Sequence, residues 1–309
     1  MRSDFLFAAA AGALSGGLLL LTLLGGPAAV LVGYLAPLPL FLAGLGLGAV
    51  GAAIAGVIGA LMAAFSVGVP IAVLFVLSFA VPVVVLCRHA LLSRPAADGS
   101  TEWYPLGQLA VWLCTIAALA FALVVVGFAI AGQGLLAALQ ALVSEFATAF
   151  QVEIDAETGA RIAEYAPGVL AISWQIQVIV NGALAQGLLL RFGRNLRPQA
   201  DIAGLTLPKA LLPAFAAAMA LALADGSLGM IGKTLAAIAL VPYFLLGLGF
   251  IHRLVRSWQA RYFVLVLFYG LVLPLFWPVP LIVIGLGLFE HAGQWRRRKG
   301  GGPTDRKED

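Results

Sequence analysis

The stretch best equipped for chemistry is residues 167–191, where an indole and several carboxamides recur within an otherwise apolar segment. On a helix turning about 100° per residue, Trp174, Gln177 and Asn181 share one stripe, and Gln175, Gly182 and Gln186 share a neighbouring one. Uncharged amides in an apolar setting need partners, so these stripes face other helices or a cavity. Amides beside an indole suit a small, planar, polar ligand held by hydrogen bonds and stacking. The same groups also serve as interhelical stitching, and the residues alone leave both readings open. In the first reading Trp174, Gln177 and Asn181 are the ligand-binding residues.

A second pattern is made of small residues. Gly44, Gly48, Ala52, Gly56, Ala60 and Ala64 recur every fourth position, with Gly51, Ala55, Gly59 and Ala63 in a parallel row. Ala8, Gly12 and Gly16 repeat the spacing near the start of the chain. Such rows let helix backbones approach closely, either inside one protein or against a membrane partner. A bulky residue at Gly48 or Gly56 is expected to be harmful.

The remaining polar groups have simpler readings. Cys87 and Cys114 lie in apolar segments without metal-ligand spacing and read as small buried hydrophobes. Glu153, Asp155 and Glu157 read as a solvated acidic loop. Lys233 sits near the start of an apolar helix and reads as a snorkelling side chain, while His252 and His291 fall near helix ends. Arg296, Arg297, Arg298 and Lys299 follow the last apolar run and suit the inner membrane surface. No Ser-His-Asp set, carboxylate pair, metal triad or nucleotide-binding loop is visible, so no cofactor is expected and no catalytic residue is named. That argues against an intramembrane protease and against an ordinary proton-coupled pump.

The elements that position these groups follow from hydropathy. Hydrophobic residues make up 62% of the 309 and charged residues 10%, with a mean hydropathy of +1.04. A water-soluble domain cannot hide that much apolar surface. Hydrocarbon offers no hydrogen-bond partners, so long unbroken apolar runs imply helices that satisfy their own backbones. A span needs about 20 residues, and on that measure 5–24, 70–92, 107–131, 167–191, 208–224 and 228–252 are the clear candidates. Segment 28–65, interrupted by Pro37 and Pro39, divides into two short helices or stays as one. Segment 262–290 divides at the turn Trp277-Pro278-Val279-Pro280. Residues 134–151 form an amphipathic helix, with Leu135, Leu139, Leu142, Phe146 and Phe150 on one face, that lies in the interface or covers a cavity.

Loop charge supplies the orientation. Basic residues cluster at Arg88 and Arg94, at Arg191, Arg194, Arg197 and Lys209, at Arg253, Arg256 and Arg261, and after the last apolar run. The positive-inside rule puts all of these in the cytoplasm and the acidic stretch 133–166 outside. The expected fold is an all-α polytopic transmembrane helix bundle of about ten helices (eight to ten), with both termini cytoplasmic. The formal net charge of +4 is accounted for by these loops and does not signal nucleic-acid binding. The expected domains are a six-helix membrane bundle at 1–192, a four-helix membrane region at 193–296 and a disordered tail at 297–309.

Two resemblances accompany this reading. The chain resembles the YybS-like family of bacterial membrane proteins in Ala36-Pro37-Leu38-Pro39, in Pro82 with Cys87-Arg88-His89-Ala90-Leu91-Leu92, and in Trp103-Tyr104-Pro105-Leu106-Gly107. Asn181 and Gln186 leading to Arg197-Pro198, Gly247-Leu248-Gly249-Phe250-Ile251-His252 and Gly285-Leu286-Gly287-Leu288 extend it over nearly the whole chain. That family implies a bacterial inner-membrane location and no defined activity. The first six helices are also similar in pattern to substrate-binding subunits of energy-coupling-factor vitamin transporters. This second resemblance implies a ligand cavity, which Trp174, Gln177 and Asn181 suit and which segment 134–151 would gate. It also implies a membrane coupling subunit and an ATPase as partners, docked through Ala8, Gly12 and Gly16. The four helices after Arg191 and the absence of a charged ligand-binding residue depart from that pattern. A membrane scaffold acting through helix–helix contacts is the alternative.

Overall fold

A computed structural model of the chain describes residues 2–23, 25–272 and 278–300. Among them the structure is helical apart from one two-stranded hairpin. Six helices are long and apolar enough to cross a membrane: Arg2–Thr22, Ala49–Ser66, Val69–Ala90, Leu106–Ile130, Ala156–Arg191 and Gly226–Val255. This is the architecture of a membrane protein. The described residues fall into two compact units, and the division is interleaved along the chain.

The first unit holds residues 1–105, a short stretch of the Leu106–Ile130 helix, and residues 172–200. It opens with α1 (Arg2–Thr22), α2 (Pro27–Gly33), α3 (Pro37–Leu47) and α4 (Ala49–Ser66). Pro37 and Pro39 end any continuous helix between α2 and α3, since each lacks an N–H and restricts the residue before it. The break between α3 and α4 is Gly48, whose φ of 90° is a backbone state that side chains with a Cβ rarely adopt. Next come α5 (Val69–Phe75), a π-helical turn at Val76–Ala80, and α6 (Val81–Ala90), which together form one of the long apolar helices. A β-hairpin follows, β1 (Ser93–Pro95) pairing antiparallel with β2 (Thr101–Trp103). The sequence reading had only a charged loop here.

The second unit takes most of α7 (Leu106–Ile130), then α8 (Leu135–Phe150) and the first part of α9 (Ala156–Arg191). It continues through a 3-10 turn at Ile202–Gly204, α10 (Leu211–Leu221), α11 (Gly226–Val255), α12 (Arg261–Val272) and α13 (Pro278–Gly300). Leu205 and Leu207 pack with Tyr243 and Leu246 in its apolar core.

Three sequence expectations change. Segment 208–224 is not a long span: α10 has 11 residues, about 17 Å of helix, because turns at 209–210 and 222–225 bound it. Pro278 and Pro280 open α13 rather than forming a turn, as proline does readily in a first helical turn, and Trp277 lies outside the described residues. The tail expected to be disordered from 297 is helical through Gly300, and 301–309 lie outside the described residues.

Candidate functional site

The amide-rich stripe of α9 meets the places where neighbouring helices are broken. A proline inside a helix cannot donate to the carbonyl four residues earlier, so that carbonyl needs another donor. Pro82 stands four residues after Ser78, and the Trp174 indole N–H donates to the Ser78 carbonyl at 2.9 Å. At the α2–α3 break, the Leu38 N–H turns to Leu35 and leaves the Tyr34 carbonyl to side chains. Gln177 Nε2 and Asn181 Nδ2 both donate to that oxygen, each at 3.0 Å. Ser15, fully buried on α1, donates to the Ala36 carbonyl at 2.6 Å.

The structure therefore brings Trp174, Gln177 and Asn181 together along one seam, as the periodicity implies, with each donor engaged by backbone. Asn181 also donates to the Gln177 carbonyl one turn back at 2.8 Å, while its Oδ1, in a side chain with no exposed surface, has no hydrogen-bond partner. Gln175 is equally buried. Gln186 lies further along and donates to the Arg197 carbonyl at 2.7 Å. Sequence reasoning missed Ser15, Tyr34 and Ser78. The prolines were the available signal, Pro82 because it cannot donate to Ser78, and Pro37 and Pro39 because they break the helix beside Tyr34 and Ala36.

The small-residue rows pack inside the first unit. A Cβ on Gly12 would run into the Ala55 carbonyl, and one on Gly16 would come within 3.0 Å of the Gly59 carbonyl, so the α1 row is seated on α4. Ala8 and Ala52 are buried. A Cβ on Gly44 would run into the Cys87 sulfur and Ala52, and one on Gly56 would come within 2.9 Å of the Ala80 Cβ on the π-turn. Gly48 differs, since space around it is open and its backbone angle is what demands glycine.

Arg197 locks the polar end of the same unit. Nearly buried, it donates to the carbonyls of Ala90 (2.9 Å) and Tyr104 (3.0 Å), and its guanidinium lies 5.9 Å from the Trp103 ring centre. Burial holds its pKa below the usual arginine value. It thereby joins the end of α6, the hairpin and the 192–200 segment.

In the second unit the proline device recurs. Pro242 stands four residues after Ile238, and the Cys114 thiol donates to the Ile238 carbonyl at 3.3 Å. Lys233 forms a short ion pair with Glu164 of α9. Arg253 pairs with Glu290 of α13 at 2.9 Å and also donates to the Ala203 carbonyl. Glu290 and His291 are buried, His291 lying 5.6 Å from the Tyr243 ring, although sequence position had put His291 at a helix end.

The acidic loop before α9 has a structural role. Asp155 accepts the Thr158 backbone N–H at 2.9 Å and its hydroxyl at 2.7 Å, and these bonds hold its pKa below the ordinary carboxylate value. An open hollow of about 1190 Å³ lies between α8 and the start of α9. Its lining includes Gln140, Ser144, Thr148 and Glu153, and none of Trp174, Gln177 or Asn181. Leu142 and Phe146 on the apolar face of α8 are more than half exposed. No group of three or more metal-ligating side chains occurs among the described residues.

No family model, curated protein or solved structure matches the chain.

Proposed function

We propose that this chain is a bacterial inner-membrane protein that binds a small polar molecule within its first unit and helps carry it across the bilayer. One observation carries the reading: Asn181 Oδ1 is a fully buried acceptor without a donor, set where α2 and α3 are interrupted. Interrupted helices facing a polar stripe are how membrane carriers build sites at mid-depth, because unwound backbone is tolerated there only beside protein or a cavity. A ligand bearing an N–H or O–H would complete the hydrogen bonding of Asn181. The orientation follows from loop charge, with both termini and the basic loops cytoplasmic and about ten membrane segments, the shorter apolar helices included. Energy would come from a partner, an ATPase with a membrane coupling subunit, since the chain has no ATP-hydrolysing motif.

A membrane scaffold is the second reading. It is favoured by the engagement of Trp174, Gln177 and Asn181 donors with backbone carbonyls, which is stitching in its own right. Gly12 and Gly16, expected with Ala8 to dock a coupling subunit, are instead seated on α4 within the first unit, so a partner in either reading would use another face.

The test is purification of the tagged protein from native membranes in mild detergent, followed by mass spectrometry of what accompanies it. Stoichiometric recovery of an ATPase and coupling subunit is the expected result. Recovery of cell-envelope assembly components instead would replace transport with scaffolding.

A further inference from the structure

α11 has a physical design that the ligand reading does not use. It runs 30 residues, and Pro242 divides it. Each half has anchors of its own, although α10 meets both, its Phe215 ring lying 5.4 Å from the Tyr243 ring. Before the proline, Gly229 and Gly232 let α11 press against the 221–224 end of α10, and Lys233 pairs with Glu164 of α9. After it, Gly247 presses on the Val283 carbonyl of α13, Gly287 on the Tyr243 carbonyl, and Gly249 on Ile202 of the 3-10 turn. Arg253 then ties this half to Glu290 of α13 and to the Ala203 carbonyl of that turn. Each half carries its own ion pair, and the joint between them is the turn whose backbone bond Pro242 removes.

The placement of the ion pairs gives the division meaning. Lys233 and Arg253 are twenty positions apart (233 to 253), which is about 30 Å of helix at 1.5 Å per residue. That equals the thickness of a hydrocarbon core, about 30 Å. On that measure one ion pair would stand at each membrane surface, with Pro242 near mid-depth. Asp225 adds a further negative charge near Lys233. Tyr165 lies 5.1 Å below the Lys233 ammonium, Asp201 pairs with Arg256, His252 meets the Tyr269 hydroxyl, and Gln294 donates to Glu290.

We propose that α11 is the gating helix of this protein, hinged at Pro242, with Glu164–Lys233 and Glu290–Arg253 as separate latches at opposite membrane faces. Opening one latch frees one half of α11 while the other half stays docked. This does not rest on the Asn181 site, so a failure of ligand binding there leaves it standing.

Thiol accessibility in full-length protein in sealed vesicles tests it. Cys87→Ala and Cys114→Ser clear the background, the serine keeping a donor for Ile238. Single reporters are then placed at two buried positions, Ala236→Cys in the first half and Leu248→Cys in the second. A membrane-impermeant maleimide is added to either face. Glu164→Gln is expected to speed labelling at Ala236→Cys about tenfold from one face only, equivalent to about 1.4 kcal/mol in the opening equilibrium, with Leu248→Cys unchanged. Glu290→Gln should do the reverse, from the opposite face. The swap Glu164→Lys with Lys233→Glu should restore protection. Unchanged labelling in both variants, or equal acceleration at both reporters, overturns the proposal, since either result means that the halves do not open independently.

Discussion

The indole N–H of Trp174 is bonded to the carbonyl of Ser78, the carbonyl that Pro82 leaves without its helical donor. The pairing joins α9 to the π-turn before α6 by meeting a need that the proline itself creates. Trp174→Phe keeps the ring and removes the donor, leaving that carbonyl unpaired at a cost of about 1–3 kcal/mol. In a Pro82→Ala background residue 82 regains an N–H, so the same substitution should cost clearly less. Thermal unfolding of the four proteins of this double-mutant cycle in detergent checks it, and equal costs in both backgrounds would refute the pairing.

Cys114 makes the matching prediction in the second unit. Its thiol serves the Ile238 carbonyl that Pro242 cannot. Cys114→Ser should be tolerated, while Cys114→Val should destabilise by about 1 kcal/mol. The measurement is the unfolding midpoint of each variant, and a serine that destabilises more than valine contradicts the assignment.

The α1–α4 seam separates glycines by what stands above them. Gly12→Ala drives a methyl into the Ala55 carbonyl and should cost about 1–3 kcal/mol through forced separation of the helices. Gly17→Ala has its nearest neighbour, Met62 Cε, at 3.7 Å and should be neutral or slightly stabilising. Yield of folded protein and melting temperature distinguish the two, and the same ranking should hold in any detergent that preserves the fold.

Asp155 gives α9 a pH dependence of defined sign. Its folded pKa lies below the unfolded value, so the ionised cap stabilises the helix start above about pH 3.9. That contribution is lost as pH falls through the lower folded value. Amide exchange in the first turn of α9, corrected for intrinsic rates, should show protection falling on acidification through that window. Asp155→Asn keeps an acceptor without a titrating charge and should remove this dependence.

Arg197 should prove irreplaceable by lysine. A lysine offers a single ammonium where the guanidinium reaches both Ala90 and Tyr104 carbonyls, and it cannot stack on Trp103 in the same way. Arg197→Lys is expected to lose roughly 1–3 kcal/mol and to expose the 93–103 hairpin to limited proteolysis. A lysine variant as resistant as the parent protein would show that the fork geometry is unimportant.

The parts legible in the sequence were those set by hydropathy and local backbone chemistry. Five of the six clear apolar runs are long helices, and the small-residue rows and the stripe from Trp174 to Asn181 face helices as their spacing implies. Residues 208–224 misled because hydropathy does not register the turns at 209–210 and 222–225 that confine the helix to 211–221. The partners of Lys233 and Arg253 were hidden for a different reason. Glu164 lies 69 positions before Lys233 and Glu290 37 after Arg253, and no local period connects them. The interleaving of the two units has the same origin, since α7 and α9 each contribute to both and nothing within either helix marks the change.

α9 contains 36 residues, Pro167 among them, about 54 Å of helix, against about 30 Å of hydrocarbon. Even when tilted, a substantial length of it must stand in water. The end that begins after Asp155 carries Glu157 and Arg161 in an exposed ion pair and is the part suited to do so. Val152 and Glu153, exposed and ahead of the Asp155 cap, then offer a place to insert a short epitope. An antibody that reads such an epitope on intact cells would fix the sidedness of the whole protein from a single insertion.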